Sequence, residues 1–121
     1  MTAKQFGRVQ LQIMQVLWKR KRANAREITD ELNRTGEIAH STVQTLLRQL
    51  EAKSAVAHDT EDRTFVFYPL VAEDKVTRRA TRELINEVFG GSAAGLVAYL
   101  LKNERIPKSE IDQLRKMIDK Q

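Results

Sequence analysis

The sequence predicts a mainly α-helical chain carrying one small β-hairpin, and three observations predict it. Apolar residues recur at helical spacing through most of the 121 residues. Five Gly, two Pro and few aromatics favour helices over a β-sandwich. The period changes only once, where "TFVFY" at 64–68 gathers β-branched and aromatic residues between a polar turn and Pro69.

The first helix runs from about Arg8 to Lys21, with Val9, Ile13, Val16 and Leu17 on one stripe that Met14 and Trp18 widen. The basic run Lys19–Arg22 suits a helix C-terminus; contact with phosphate is the sharper alternative. Asn24 with Glu27 forms a capping-box pair that opens a second helix, on which Ile28 and Leu32 are buried. Gly36 ends that helix as a C′ glycine would. Ser41 with Gln44 repeats the capping pattern for a third helix, whose Val43, Leu46, Leu47 and Leu50 trace one face. Val56–Asp59 and Thr64–Tyr68 then read as two strands joined by the turn Thr60–Arg63. Three helices followed by a hairpin is the element order of a winged helix-turn-helix, assigned to residues 1–71.

Residues 72–121 differ in kind. Val76, Ala80, Leu84 and Val88 step by four along a long helix, broadened by Ile85 and Phe89, until Gly90-Gly91 breaks it. Ser92 caps a short apolar helix, "AAGLVAYLL", that ends near Asn103 and carries Leu96 and Leu100. Pro107 and Ser109 introduce a last helix with Ile111, Leu114 and Ile118 on its inner face. A segment this small seldom stands alone. Its stripes Val76, Ala80, Leu84, Val88, Leu96, Leu100, Leu114 and Ile118 are therefore read as a dimerisation surface against a second copy of the chain.

Function follows from placement more than from totals. The net charge is +5, but the excess is divided between both halves and only weakly favours an anionic partner. Zero Cys excludes disulfides, thiolate metal sites and cysteine nucleophiles. No run is long and apolar enough to span a membrane, and "MTAKQFGRVQ" lacks the apolar core of a signal peptide. The expected location is cytoplasmic, at the nucleoid when bound to DNA. His40 and His58 stand isolated and make neither a zinc site nor a Ser-His pair. No Gly-rich phosphate loop is present and no cofactor is expected. An enzyme has no constellation behind it.

The third helix is the informative element. Opposite its leucine face lie Ser41, Gln44, Thr45 and Arg48, flanked by Thr42 and Gln49, with no acid before Glu51. Hydroxyls, amides and one guanidinium can donate to phosphates or read base edges, and an acid there would be repelled by DNA. This fits a recognition helix for double-stranded DNA, with Arg48 as the strongest candidate for a guanine contact. The alternative is a winged-helix protein–protein interaction module, supported by the acidic turn Asp59, Glu61 and Asp62.

"QIMQVLW", "AREITDEL", "STVQTLLRQLEAK", "DRTFVFYPLV" and "FGGSAAGLVAYLLKNERIPKSEIDQLRKMID" occur in this order. Together they resemble the penicillinase-repressor family of bacterial transcriptional regulators, the BlaI/MecI/CopY group. The resemblance implies a homodimeric repressor on a dyad-symmetric operator. It carries recognition positions to Ser41, Thr42, Thr45 and Arg48, with Gln44 beside them, and a phosphate contact to Arg63. It also implies an upstream sensor or protease as a partner, of unspecified identity. The chain departs from the family pattern at Gln49 and Ser54, where many relatives have Arg and Gly, and at Asp62-Arg63, where the wing often begins Gly-Arg. Tyr99-Leu100 stands where antibiotic-responsive members are cleaved at Asn-Phe, and the cysteine cluster of copper-responsive members is absent.

Overall fold

A computed structural model describes residues 6–121. The signal-peptide reading of the N-terminus rests partly on residues 1–5, which lie outside the described residues. Helix α1 (Arg8–Arg20) buries Ile13, Met14, Val16 and Leu17, as its stripe predicts. Its end is set by Lys21 at φ 73°, whose N–H donates to the Leu17 carbonyl. The basic run there finds partners inside the chain: Arg20 meets Glu27 at 2.9 Å, and Arg22 meets Asp59 and Glu61. The phosphate alternative loses those two arginines.

A two-residue strand β1 (Ala23–Asn24) follows, too short to have a period in the sequence. It pairs antiparallel with the second strand of the hairpin, Ala23 opposite Phe67 and Asn24 opposite Val66. Asn24 is also the cap of α2 (Ala25–Leu32). Its Oδ1 accepts from the Glu27 N–H at 2.8 Å, and Glu27 Oε1 accepts from the Asn24 N–H at 2.9 Å, the reciprocal box expected.

Two expected helix boundaries are corrected. Helix α2 ends at Asn33, and Gly36 has no positive φ and is no C′ glycine. The Asn33 side chain clamps the following turn, donating to the Ile38 carbonyl at 3.1 Å and accepting its N–H at 2.7 Å. This polar clamp replaces the glycine device. Helix α3 (His40–Ala52) begins after Ala39, and Ser41 lies within its first turn instead of capping it. The Thr42 and Val43 N–H groups donate to the Ala39 carbonyl, so the helix is already under way when Ser41 is reached.

Val43, Leu47 and Leu50 of α3 are fully buried with Ile13, Met14, Leu17, Ile28 and Val56, while Leu46 only packs at the edge of this core. Strands β2 (Val56–Glu61) and β3 (Thr64–Pro69) complete a sheet of order β1-β3-β2. The hairpin is longer than its apolar pattern predicts. Glu61 pairs with Thr64, leaving a two-residue turn at Asp62-Arg63. Trp18 Nε1 donates to the Val71 carbonyl at 2.9 Å and ties α1 to the segment leaving β3.

Helix α4 (Glu73–Val88) follows, then the Gly90-Gly91 break at φ 57° and 87°. Helix α5 (Ala93–Asn103) is capped by Ser92, whose Oγ accepts the Gly95 N–H, and α6 (Lys108–Asp119) follows Pro107. The chain divides into two compact units, one ending at Thr81 and the other running Arg82–Gln121. That boundary lies inside α4, beyond residue 71, because Val76 is buried in the core of the first unit.

The capping assignments are separable by substitution. Asn24→Ala, which removes the Oδ1 that accepts the Glu27 N–H, should cost about 1 kcal/mol in urea unfolding. Ser41→Ala should change stability by less than about 0.5 kcal/mol. Equal losses would restore Ser41 as a cap.

Candidate nucleic-acid interface

Burial of Val43, Leu47 and Leu50 turns the opposite side of α3 to solvent, so Ser41, Thr42, Gln44, Thr45 and Arg48 are all exposed. The Thr45 hydroxyl donates to the Ser41 carbonyl at 3.0 Å and accepts from Arg48 at a long 3.4 Å. Arg48 is thus steered along the helix surface and holds no carboxylate. Gln49 is engaged otherwise: its Oε1 accepts from Gln10 Nε2 at 3.0 Å, joining α3 to α1. His40 also serves packing. Its Nδ1 lies 3.0 Å from the Thr29 hydroxyl, which itself donates to the Ala25 carbonyl, so the imidazole is the donor. Among the described residues no His, Cys, Asp and Glu cluster could hold a metal ion.

The wing has two faces, and strand alternation decides what each carries. His58 opposite Phe67 and Thr60 opposite Phe65 share one face; Asp59 opposite Val66 and Glu61 opposite Thr64 share the other. Arg22 reaches across the second face, 3.1 Å from Asp59 and also bonded to Glu61, with its guanidinium 5.7 Å from the Tyr68 ring centroid. Glu61 first, then Asp59, raises the Arg22 pKa above its ordinary value, which marks the mutual neutralisation. On the first face, His58 Nδ1 lies 2.5 Å from Glu51 Oε1 and its ring stacks on Phe65 at 4.0 Å. The one acid of α3 is thereby held at the far end of the helix. Of the acidic turn, only Asp62 is left without such a contact.

Asp62 and Arg63 sit at φ 50° and 68°, the left-handed pair of a tight hairpin turn. The second position is where glycine is at least strain, so an arginine there costs conformational energy that its side chain must justify. Arg63 is exposed and borders a groove of about 580 Å³ between α3, the start of α2 and β3. Arg26 and Arg48 border the same groove. Sequence reading gave Arg26 no role. Its charge is ordinary for a helix surface, and only the β1–β3 pairing brings the start of α2 beside the wing.

The residues read as a dimerisation surface fall into three groups. Leu84, Val88, Leu100, Leu114 and Ile118 are exposed, Ile118 to 66%; Ala80 and Leu96 are half-buried; Val76 is spent in the core of the first unit. Val97, Tyr99, Leu101 and Met117 are further exposed apolar residues of the second unit that the spacing did not single out.

A model of the penicillinase repressor family matches residues 6–120. The penicillinase repressor of Bacillus licheniformis is 29% identical over 115 residues, 95% of this chain and 90% of that protein. The methicillin resistance regulatory protein MecI of Staphylococcus aureus is 27% identical over 109 residues, 90% of this chain and 89% of that one. Among solved structures, the DNA-binding domain of the repressor BlaI superposes with a TM-score of 0.53 at 36% identity, covering 57% of this chain and 84% of that domain. The YusO protein of Bacillus subtilis matches with a TM-score of 0.56 at 19% identity, covering 97% of this chain and 74% of that one, a likeness of fold alone.

Relief of the turn strain gives a direct check. Arg63→Gly should raise stability by about 1 kcal/mol in urea unfolding, because glycine reaches positive φ without steric cost. An unchanged or lower midpoint would mean that the turn stores no such strain.

Proposed function

Because the chain belongs to the penicillinase repressor family, we propose that it is a homodimeric, sequence-specific DNA-binding repressor acting on a dyad-symmetric operator. The observation that carries this reading is the exposed, acid-free face of α3, set beside a wing whose acids Asp59 and Glu61 are occupied by Arg22. Helix α3 enters the major groove. Arg48 donates to guanine O6 and N7, and Ser41, Thr42, Gln44 and Thr45 contact neighbouring base edges or phosphates. Arg63 and Arg26 hold the backbone on either side of the groove they border.

The homodimer is supported by energetics. Helices α5 and α6 have no buried residue, and the second unit leaves Leu84, Val88, Leu100, Leu114 and Ile118 to solvent. Apolar surface of this extent marks an interface, and a second copy brings the same stripes. Two-fold pairing then sets the recognition helices about one DNA turn apart, ~34 Å. Such a protein works where the DNA is, in the cytoplasm; among the described residues no single helix is long and apolar enough to cross a membrane. The protein-interaction alternative rested on Asp59, Glu61 and Asp62, and two of these already have an internal partner.

Selection of bound duplexes from a random DNA pool should return a palindrome with half-sites near one turn apart. Recovery of no enriched sequence would sink the reading. On the selected duplex, Arg48→Ala should cost about 1–3 kcal/mol per contacted base pair. Arg26→Ala and Arg63→Gly should weaken binding across sequences and lower the salt slope by about 1 per phosphate lost. Arg63→Gly would then move stability and affinity in opposite directions. Leu114→Asp should weaken self-association by at least about tenfold in sedimentation; an unaltered dimer would place the interface elsewhere.

A further inference from the structure

Four arginines of the first unit, Arg20, Arg22, Arg34 and Arg78, each lie against a carboxylate. Arg26, Arg48 and Arg63 do not, and these three converge on the groove between α3 and the wing, whose lining contains no acid. The groove is not polar throughout. Its floor is apolar, formed by Leu47 and Phe67, both buried, and by Phe65, which is 51% exposed. The Phe65 ring is held in place by its stack on His58, with the two planes 17° apart, and by an edge contact with Phe67 at 6.3 Å. His58 is itself pinned by Glu51. The result is a fixed flat platform with guanidinium groups at its rim.

A backbone phosphate satisfies the rim and leaves the platform uncovered. The volume of about 580 Å³ also exceeds what a phosphate fills and lies in the range of small-molecule sites, about 300–1,000 Å³. A flat ring stacks on an aromatic face, and a carboxylate suits the planar fork of arginine. We propose that this groove binds a small aromatic anion, its ring over Phe65 and its charged group between Arg26 and Arg63, and that the occupied groove excludes duplex DNA. The exclusion rests on the repressor reading, since Arg48 and Arg63 are assigned to DNA there; the binding itself does not.

The probe is naphthoate, titrated into the full chain and followed by amide NMR shifts, beside naphthalenemethanol as a neutral ring and inorganic phosphate as an anion without one. Naphthoate should give saturable shifts at Ala25, Gln44 and Phe65 with a dissociation constant of about 1 mM or tighter, the range open to so small a ligand. The two controls should bind at least about tenfold more weakly, a difference of about 1.4 kcal/mol. Phe65→Ala should lower naphthoate affinity at least about fivefold. Phe65→Leu, which keeps apolar volume without the flat ring, should do the same, and its melting temperature separates lost stacking from lost folding. Phosphate binding as well as naphthoate would reduce the groove to a phosphate seat and overturn the proposal. So would shifts confined to Arg82–Gln121, or affinity indifferent to both variants. With the selected duplex, naphthoate at about ten times its dissociation constant should weaken DNA binding about tenfold by competition, and an unmoved DNA affinity would overturn the exclusion. Naphthoate binding in a chain with no DNA affinity at all would sink the repressor reading and leave the groove's ligand standing.

Discussion

The pairing of β1 with β3 is the contact on which the geometry of the interface depends, and it is only two residues long. Ala23 is buried opposite Phe67, and Asn24, opposite Val66, is at once the end of the strand and the cap of α2. The residue before them, Arg22, holds Asp59 and Glu61 on β2. Three consecutive positions therefore fix the hairpin to the helices by a backbone ladder, a helix cap and a double ion pair. Each is modest in energy by itself. Their value is geometric: a wing free to swing on the Leu70 side alone would not keep Arg63 and Phe65 facing Arg26 and Arg48 across one groove.

Charge works here by arrangement. Exposed ion pairs contribute little to stability, and the pairs of this wing are exposed. What they change is the sign of the surface that meets a partner. Arg22 cancels the acids on one wing face, and His58 holds Glu51 at the end of α3 away from its first turns. The remaining guanidinium groups of Arg26, Arg48 and Arg63 then dominate the space between helix and wing. A net charge of +5 distributed over both halves would not do this. Gln49 illustrates the same economy of position. It stands where many relatives have arginine, and its amide is occupied with Gln10 inside the helix pair.

Long periodic elements were legible in the sequence because burial imposes their spacing. The stripe of α1, the leucine face of α3 and the Gly90-Gly91 break with Ser92 behind it are all where the pattern places them. Asn24 and Glu27 were legible for a different reason: a reciprocal cap needs only three residues of local sequence. The same rule misplaced Ser41, because Ser-x-x-Gln also occurs within the first turn of a helix whose start Ala39 already provides. Gly36 misled because the α2–α3 turn is closed by side-chain bonds of Asn33. Strand β1 and Arg26 were out of reach, since both depend on a partner more than forty positions away. The extra length of the hairpin was hidden too, as Thr60 and Glu61 are exposed and carry no apolar signal.

The proposed recognition face is thin: one arginine, three hydroxyls and an amide on α3. A good bidentate base contact discriminates by about 1–3 kcal/mol, whereas selection of one site in a genome needs about 4–10 kcal/mol over non-specific binding. One such contact falls short of that over its whole range. In the proposed dimer two copies act on one duplex, and their discrimination adds while the entropy of association with DNA is lost once. The energy that holds the copies together has to come from elsewhere in the chain, and the unburied faces of α5 and α6 are where apolar area remains to supply it. The sparse chemistry of the first unit and the exposed apolar surface of the second are consequently one requirement: a helix that reads few base pairs is selective only when something outside it enforces a second reading.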